Sequence, residues 1–464
     1  MRLGKILKSG FNARLARLSK KIALLLAASM IACAPSTETK GLPLTEDAPD
    51  MLTVTTKDSP LSLSPVIKWR KNVNAVSYEL ELFDEKPSNL DSLAPADTAI
   101  FTTKNIYSNI YNIPLFNLKD KIKNGRPLWW RVRVLGIGGN PLSPFSETAP
   151  LYTSSKLEEM HAPIPEPIPK SSHGGTLLYP VYSWVRPSES SSFEIEIYSL
   201  NPESNPYATP LDTYLSPIAE FYDPLPRLNE NPFYWRVRSL DDSGKPIGTW
   251  SSVASFTTSP NEAWDVAVYG DSISHGGGHL SFGPEDLEYS WLTYLDFPSL
   301  NLSQSGNVTG DLVTRFDADV VPFHPKYLLV MCGTNDLRSE DFTVKQAIMN
   351  TKLLIEKCMQ NDVKPIFLTL PPINPGNIER AFDEPTDPTW QKKFLEFNEF
   401  LRTVPHIDVA RSFAAYSAGD DNELPEWLGL DGLHEDVLGK RLIAARVNAD
   451  WEEAKEEADK AYTR

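Results

Sequence analysis

A hydroxyl, an imidazole, a carboxylate and a side-chain amide stand in four short blocks of the second half of the chain. They are Gly270-Asp271-Ser272-Ile273-Ser274, Ser303-Gln304-Ser305-Gly306-Asn307, Cys332-Gly333-Thr334-Asn335-Asp336 and Leu430-Asp431-Gly432-Leu433-His434. Acyl transfer needs an activated hydroxyl, a base, and donors for the developing oxyanion, all in one place. Ser272 offers the hydroxyl, and His434 can take its proton through Nε2. Asp431, three residues earlier, can accept the other ring proton and fix the tautomer. The backbone N–H groups of Ser272 and Gly306 and the side-chain amide of Asn335 can serve as donors. Each residue also has a plainer reading: Ser272 as a helix N-cap, Gly306 as a turn glycine, Asn335 as a loop-capping amide. Asp271 is expected to point away from the site and organise its loop. His275 and His279, in the Gly-rich stretch after Ser272, are expected to be solvated or structural, although they could touch substrate or bind a metal. No three-ligand metal pattern appears, and no cofactor is expected.

The blocks gain force from what precedes them. Apolar runs at Asp265–Tyr269, Leu300–Leu302, Tyr327–Met331, Pro365–Leu370 and Ile407–Ala410 read as buried strands. Helical periods are expected near 285–295, 310–318, 343–359, 388–403 and 436–458. Strand–helix alternation with continuous apolar strands implies a parallel sheet covered on both faces. Ligands of such sheets bind at the carboxyl ends of the strands, where the blocks fall. Together the four blocks resemble the SGNH (GDSL) hydrolase family over about residues 263–455, with Ser272, Gly306, Asn335 and His434 in the family's order. The resemblance implies a flavodoxin-like three-layer fold with a five-stranded parallel sheet. It also implies ester hydrolysis through a serine acyl-enzyme, with activity rising as His434 becomes neutral.

Before residue 260 the pattern differs. Trp69, Tyr78-Glu79-Leu80-Glu81-Leu82 and Trp130-Arg131-Val132-Arg133-Val134 are echoed by Trp184, Phe193-Glu194-Ile195-Glu196-Ile197 and Trp235-Arg236-Val237-Arg238. Strict alternation marks half-buried antiparallel strands. Two units, 51–154 and 163–258, resemble fibronectin type III domains, the all-β sandwiches. They are read as spacers first and as carbohydrate- or protein-binding modules second. A Pro-rich linker, 155–170, overlaps the start of the second unit. Residues 456–464 are expected to form a C-terminal tail.

Residues 1–32 hold seven basic groups, no acid, and an apolar stretch from Ile22 to Ala32, too short for a permanent membrane span. With Cys33 next, the segment resembles a bacterial lipoprotein signal. That implies cleavage before Cys33, lipidation there, a tether over 33–50, and a cell-envelope address, outer membrane or surface. An ordinary signal peptide with an incidental cysteine, or a cytosolic chain with an apolar start, are the alternatives. The net charge is −16 and the basic groups of the first 32 residues make the remainder more acidic still. Such a body repels phosphate backbones, which excludes non-specific nucleic-acid binding. Cys332 and Cys358 read as buried small hydrophobes.

The blocks 282–294 and 373–390 are expected to wall the pocket, with Glu285, Asp286 and Tyr289 in the first. Their polarity points to an ester substrate with a short acyl group, such as an acetylated sugar or surface glycan. An acyltransferase acting on a glycan hydroxyl, or a surface-binding lipoprotein with a non-catalytic hydrolase fold, are the rival readings.

Overall fold

A computed structural model describes residues 44–88, 90–122, 126–157, 159–168, 177–258, 264–416 and 422–462. The expected signal segment and Cys33 lie outside these residues.

The two sequence echoes fold as two antiparallel β regions. The first contains β1 (Val66–Lys68), β2 (Ser77–Phe83), β3 (Phe101–Ile106), β4 (Ile110–Asn112), β5 (Leu128–Leu135) and β6 (Ala149–Leu151). Its strands form one sheet in the order β3-β2-β5-β6 and a second, β1-β4. The second region contains β7 (Ile164–Pro165), β8 (Val181–Val185), β9 (Ser192–Tyr198), β10 (Asp212–Ser216), β11 (Glu220–Tyr222), β12 (Asn229–Leu240), β13 (Pro246–Ile247) and β14 (Ala254–Thr258). Here the sheets are β10-β9-β12 with β13 and β14 on β12, and β11-β8-β7. Alternation places one set of side chains inward. Trp69, Leu80, Leu82, Trp130 and Val132 fill the first core, and Trp184, Ile195, Ile197, Trp235 and Val237 the second. Within the segment read as a tether, the N–H groups of Thr45 and Glu46 both donate to the Leu142 carbonyl of the first region.

The last part is a parallel sheet of β15 (Val266–Gly270), β16 (Leu300–Asn301), β17 (Tyr327–Met331), β18 (Lys364–Leu368) and β19 (His406–Ile407), ordered β16-β15-β17-β18-β19. That is the doubly wound order whose ligand crevice opens between β15 and β17. Its helices are α1 (Ser272–His275), α2 (Thr309–Asp319), α3 (Thr334–Leu337), α4 (Val344–Gln360), α5 (Pro375–Phe382), α6 (Trp390–Leu401), α7 (Val409–Ala414) and α8 (Val437–Ala461). α4 packs against α2 and α6, while α8 packs against α7, β18 and β19, giving two helical layers. A reciprocal Thr343–Gln346 cap starts α4, whose residues 344, 347, 351, 354 and 358 are buried at helical spacing. Cys332 and Cys358 are both free and buried.

Three elements differ from expectation. The run Ile407–Ala410 is a strand only to Ile407, because α7 begins at Val409 with Ala410 N–H on Thr369 Oγ1 at 2.8 Å. The helix expected over 285–295 is two short 3₁₀ turns, Leu287–Tyr289 and Trp291–Tyr294, separated at the extended Ser290. That break lets Tyr289 bond the first β region while Trp291 joins the core of the α/β part. α8 runs on to Ala461, so most of the segment read as a tail is helical.

Candidate active site

Gly270 ends β15 beside Met331 at the end of β17, and the chain then turns into α1. Asp271 starts that helix by accepting the N–H of Ile273 at 3.1 Å, which leaves Ser272 in its first turn. The carbonyls at the other end, of Ser274 and His275, both accept from the Asn301 amide at 2.9 and 3.0 Å. Lys440, fully buried on α8, donates to the Ile273 carbonyl at 2.8 Å. α1 is thus held from three sides, and the hydroxyl it presents has little freedom.

His434 arrives on the turn before α8. Its Nε2 lies 2.9 Å from Ser272 Oγ, and its Nδ1 lies 2.9 Å from Asp431 Oδ2. The other Asp431 oxygen accepts the N–H groups of Leu433 and His434, both at 2.8 Å. Burial pushes the Asp431 carboxyl up, but the adjacent imidazole and these hydrogen bonds outweigh it and hold the group below its ordinary value. An ionised carboxylate only accepts, so the Nδ1 of His434 carries a proton and Nε2 of the neutral ring turns its lone pair to the serine. Gly432 makes the turn possible: its φ is +78°, and a Cβ there would stand 2.4 Å from the Asn374 carbonyl.

Gly306 follows β16 at φ +80°, and a Cβ on it would meet nothing within 4 Å. The Nδ2 of Asn335 donates to the Asn307 carbonyl at 3.0 Å. Its neighbour Asp336 does complementary work. Val308 offers no side-chain acceptor at the start of α2, and Asp336 takes the N–H of Thr309 at 2.9 Å and its hydroxyl at 2.6 Å. The Asn-Asp pair therefore fastens the Gly306 loop to the end of β17. Burial raises the Asp336 carboxyl to about 6, against the pull of those hydrogen bonds. Ser305, on the other side of Gly306, bonds His275 of α1. A hydroxyl bonded to an imidazole–carboxylate pair, on the same sheet edge as a glycine loop and a fixed amide, can support acyl transfer.

The GDSL-like Lipase/Acylhydrolase family model matches residues 268–442, which spans all four blocks. The C-terminal part of the chain is a GDSL-like ester-hydrolase domain. A curated relative, the uncharacterized lipoprotein YqeF of Bacillus subtilis (strain 168), is 32% identical over 124 residues. The match covers 24% of this chain, and the chain spans about half of that protein's length, 51%. Among solved structures, the lipase/acylhydrolase from Enterococcus faecalis is 23% identical with a TM-score of 0.33, covering 41% of this chain and 96% of its own. An acetylxylan esterase from Geobacillus stearothermophilus is 17% identical with a TM-score of 0.30, covering 40% of this chain and 92% of its own.

Around the GDSL-like site, some sequence expectations are narrowed and others change. Of the two roles expected for His275 and His279, solvated or structural, the structural one holds: both are buried, and both reach backbone carbonyls of the β regions. The first expected pocket wall instead docks the first β region. Asp286 pairs with Lys71, the Tyr289 hydroxyl donates to Val73 O at 2.7 Å, and Phe282 stacks on Tyr289 at 4.4 Å. Glu285 lies beside Glu220 of β11, since an added Cβ on Gly283 would meet a carboxylate oxygen of each within 3 Å. The second wall does reach the site, for Phe382 stands edge-on to the His434 ring, centroids 6.1 Å apart. Arg338 escaped notice in the sequence. Its Nε donates to Asn335 Oδ1 at 3.3 Å, and Nη2 pairs with Glu384 at 3.0 Å. This fixes which end of the Asn335 amide faces Asn307. The signal was its place three residues after Asn335, one helical turn away.

Proposed function

We propose that the chain hydrolyses carboxylic esters through an acyl-enzyme on Ser272, with His434 as general base and acid and Asp431 orienting it. The observation that carries this reading is the unbroken line from Ser272 Oγ through both nitrogens of His434 to Asp431, with 2.9 Å at each step. Ser272 Oγ attacks the ester carbonyl as Nε2 takes its proton. The N–H groups of Ser272 and Gly306 and the Asn335 amide receive the oxyanion. His434 then protonates the departing alcohol. Water, deprotonated by the same nitrogen, cleaves the acyl-enzyme and frees the acid.

Arg338 bonds Asn335 and pairs with Glu384, Asn377 packs at Gly432 on the His434 turn, and Phe382 turns an aromatic edge to His434. This supports a short acyl group on a hydroxyl-rich alcohol, a sugar or surface glycan, over a long alkyl chain. The two β regions are proposed to be fibronectin type III-like, in keeping with their paired antiparallel sheets. Lipidation at Cys33 is proposed as well. The name of the Bacillus relative supports it.

The test is turnover of a short-chain nitrophenyl ester, followed by acetate release from acetylated glycans beside lysophospholipids. Ser272→Ala and His434→Ala should each lose at least about a thousandfold in kcat. Rates in either variant equal to wild type would end the proposal.

A further inference from the structure

Tyr179 belongs to the chain leading into β8, yet it is 3% exposed and packs in the core of the hydrolase domain. Beside it, Leu178 N–H donates to Asn301 O at 3.2 Å, so this segment lies along the outer edge of β16. From there Tyr179 extends two arms toward one loop.

The first arm is its carbonyl, 2.8 Å from His275 Nε2. A carbonyl has no proton to give, so Nε2 carries the hydrogen and Nδ1 of the neutral ring keeps its lone pair. That lone pair faces Ser305, with the hydroxyl at 2.8 Å and the backbone N–H at 3.3 Å. The second arm is the phenol, which donates to Asp319 Oδ2 at 2.7 Å. The same oxygen accepts from Arg315 Nη1 at 2.6 Å, and Arg315 Nε donates to Asn307 Oδ1 at 2.6 Å. Asp319 is fully buried, and the Arg315 side chain is 10% exposed. The arms end on Ser305 and Asn307, the two residues flanking Gly306. Arg315 also binds the carbonyls of Gly270 and Leu302 at 3.1 and 2.7 Å, so the loop is referred to the strand that bears Ser272.

We infer that Tyr179 is a positioning residue for the oxyanion loop, and that the second β region is thereby part of the catalytic framework rather than a spacer. The inference rests on the reading that Gly306 N–H receives the oxyanion. Gly306 itself has the positive φ, and the direction of its N–H is held by the residues on either side. Tyr179 holds both, one through an imidazole and one through a carboxylate–guanidinium pair. An oxyanion contact exists only in the transition state, so misaiming it lowers kcat and spares KM.

The experiment uses the full-length protein and a short-chain nitrophenyl ester. Tyr179→Phe removes one arm with little change of shape. It should lower kcat about tenfold and leave KM within about twofold. In an Asn335→Ala background the same substitution should cost clearly less, because both act on one oxyanion site. A folded Tyr179→Phe protein with wild-type kcat, or one in which only KM moves, overturns the inference. So does an equal loss in both backgrounds. Should the variant fail to fold, nitrogen-15 NMR of the wild type decides: a proton on His275 Nε2 with Nδ1 accepting is required, and a proton on Nδ1 refutes it. The functional reading fails separately, through equal rates in wild type and Ser272→Ala.

Discussion

The two β regions carry the same ladder and use it differently. In the first, β2 and β5 pair Glu79 with Arg133 and Glu81 with Arg131. In the second, β9 and β12 pair Glu194 with Arg238 and Glu196 with Arg236. The Arg131–Glu81 side chains are 2% and 1% exposed at 2.7 Å, whereas those of Arg236–Glu196 are 25% and 14% exposed at the same distance. The segment between β2 and β3 makes the difference. It lies over the outer face of the first sheet, and the carbonyls of Asp91, Leu93 and Ala94 accept further hydrogen bonds from the two guanidiniums. Phe145 stacks on both guanidiniums there, at 3.9 and 4.3 Å. In the second region Trp250 lies over the open ladder, at 4.3 and 4.4 Å. An identical cross-strand pattern therefore becomes a second small core in one region and a solvent-facing surface in the other. The lesson is that a charge alternation along a strand states pairing and register; its energetic weight depends on what covers it.

The largest test of that contrast is removal of one carboxylate from each ladder. Glu81→Ala leaves Arg131 buried without its counter-charge and should cost about 3–5 kcal/mol. Glu196→Ala should cost at most about 1 kcal/mol. Denaturant titration of both variants, with transitions resolved by region, is the measurement. Equal costs would break the comparison.

The regions also share a docking device. The first presents the Val73 carbonyl to His279 Nε2 at 3.1 Å, as the second presents the Tyr179 carbonyl to His275. Burial depresses both imidazoles from 6.5 to about 4, partly countered by those carbonyls. Because the folded values lie below the unfolded one, the unfolded chain binds these protons first. The stability tied to each neutral ring is complete above pH 6.5 and is lost as the pH falls toward 4. The slope should be about 1.4 kcal/mol per pH unit for each ring. The wild-type-minus-variant difference for His279→Gln isolates that ring from the buried carboxylates, some of which titrate in the opposite sense. A difference that stays flat from pH 6.5 to 4 would show that His279 is not held neutral. The smallest effect belongs to the open ladder: Trp250→Ala, losing two cation–π contacts, should cost about 1 kcal/mol in a melt of the second region.

Much of the fold could be read from local pattern. Alternation at Tyr78–Leu82 and Phe193–Ile197 names strands, and the apolar runs before each block name the parallel sheet. The line Ser272–His434–Asp431 could be anticipated because each member follows a strand or shares a turn. What escaped depends on distant contacts. Glu285, Asp286 and Tyr289 look like a polar pocket wall in a linear reading, but two of their partners lie more than 200 residues earlier in the chain. Tyr179 sits close to a Pro-rich linker, and nothing local says that its phenol reaches Asp319, 140 residues on. The helix α5 did leave a local sign, Asn374 followed by Pro375, an N-cap and a first-turn proline. Its short length and the surrounding prolines obscured it.

The distance along the chain between Ser272 and His434, 162 residues, has a bearing on how the protein is made. A ribosome adding about 5–20 residues per second needs roughly 8–30 s to travel from the serine codon to the histidine codon. Throughout that interval the Ser272 hydroxyl lacks the imidazole of His434, its hydrogen-bond partner in the folded domain. Prematurely terminated products lacking the turn that bears Asp431 and His434 therefore cannot form the Ser272–His434–Asp431 line, which closes only after that turn has been made.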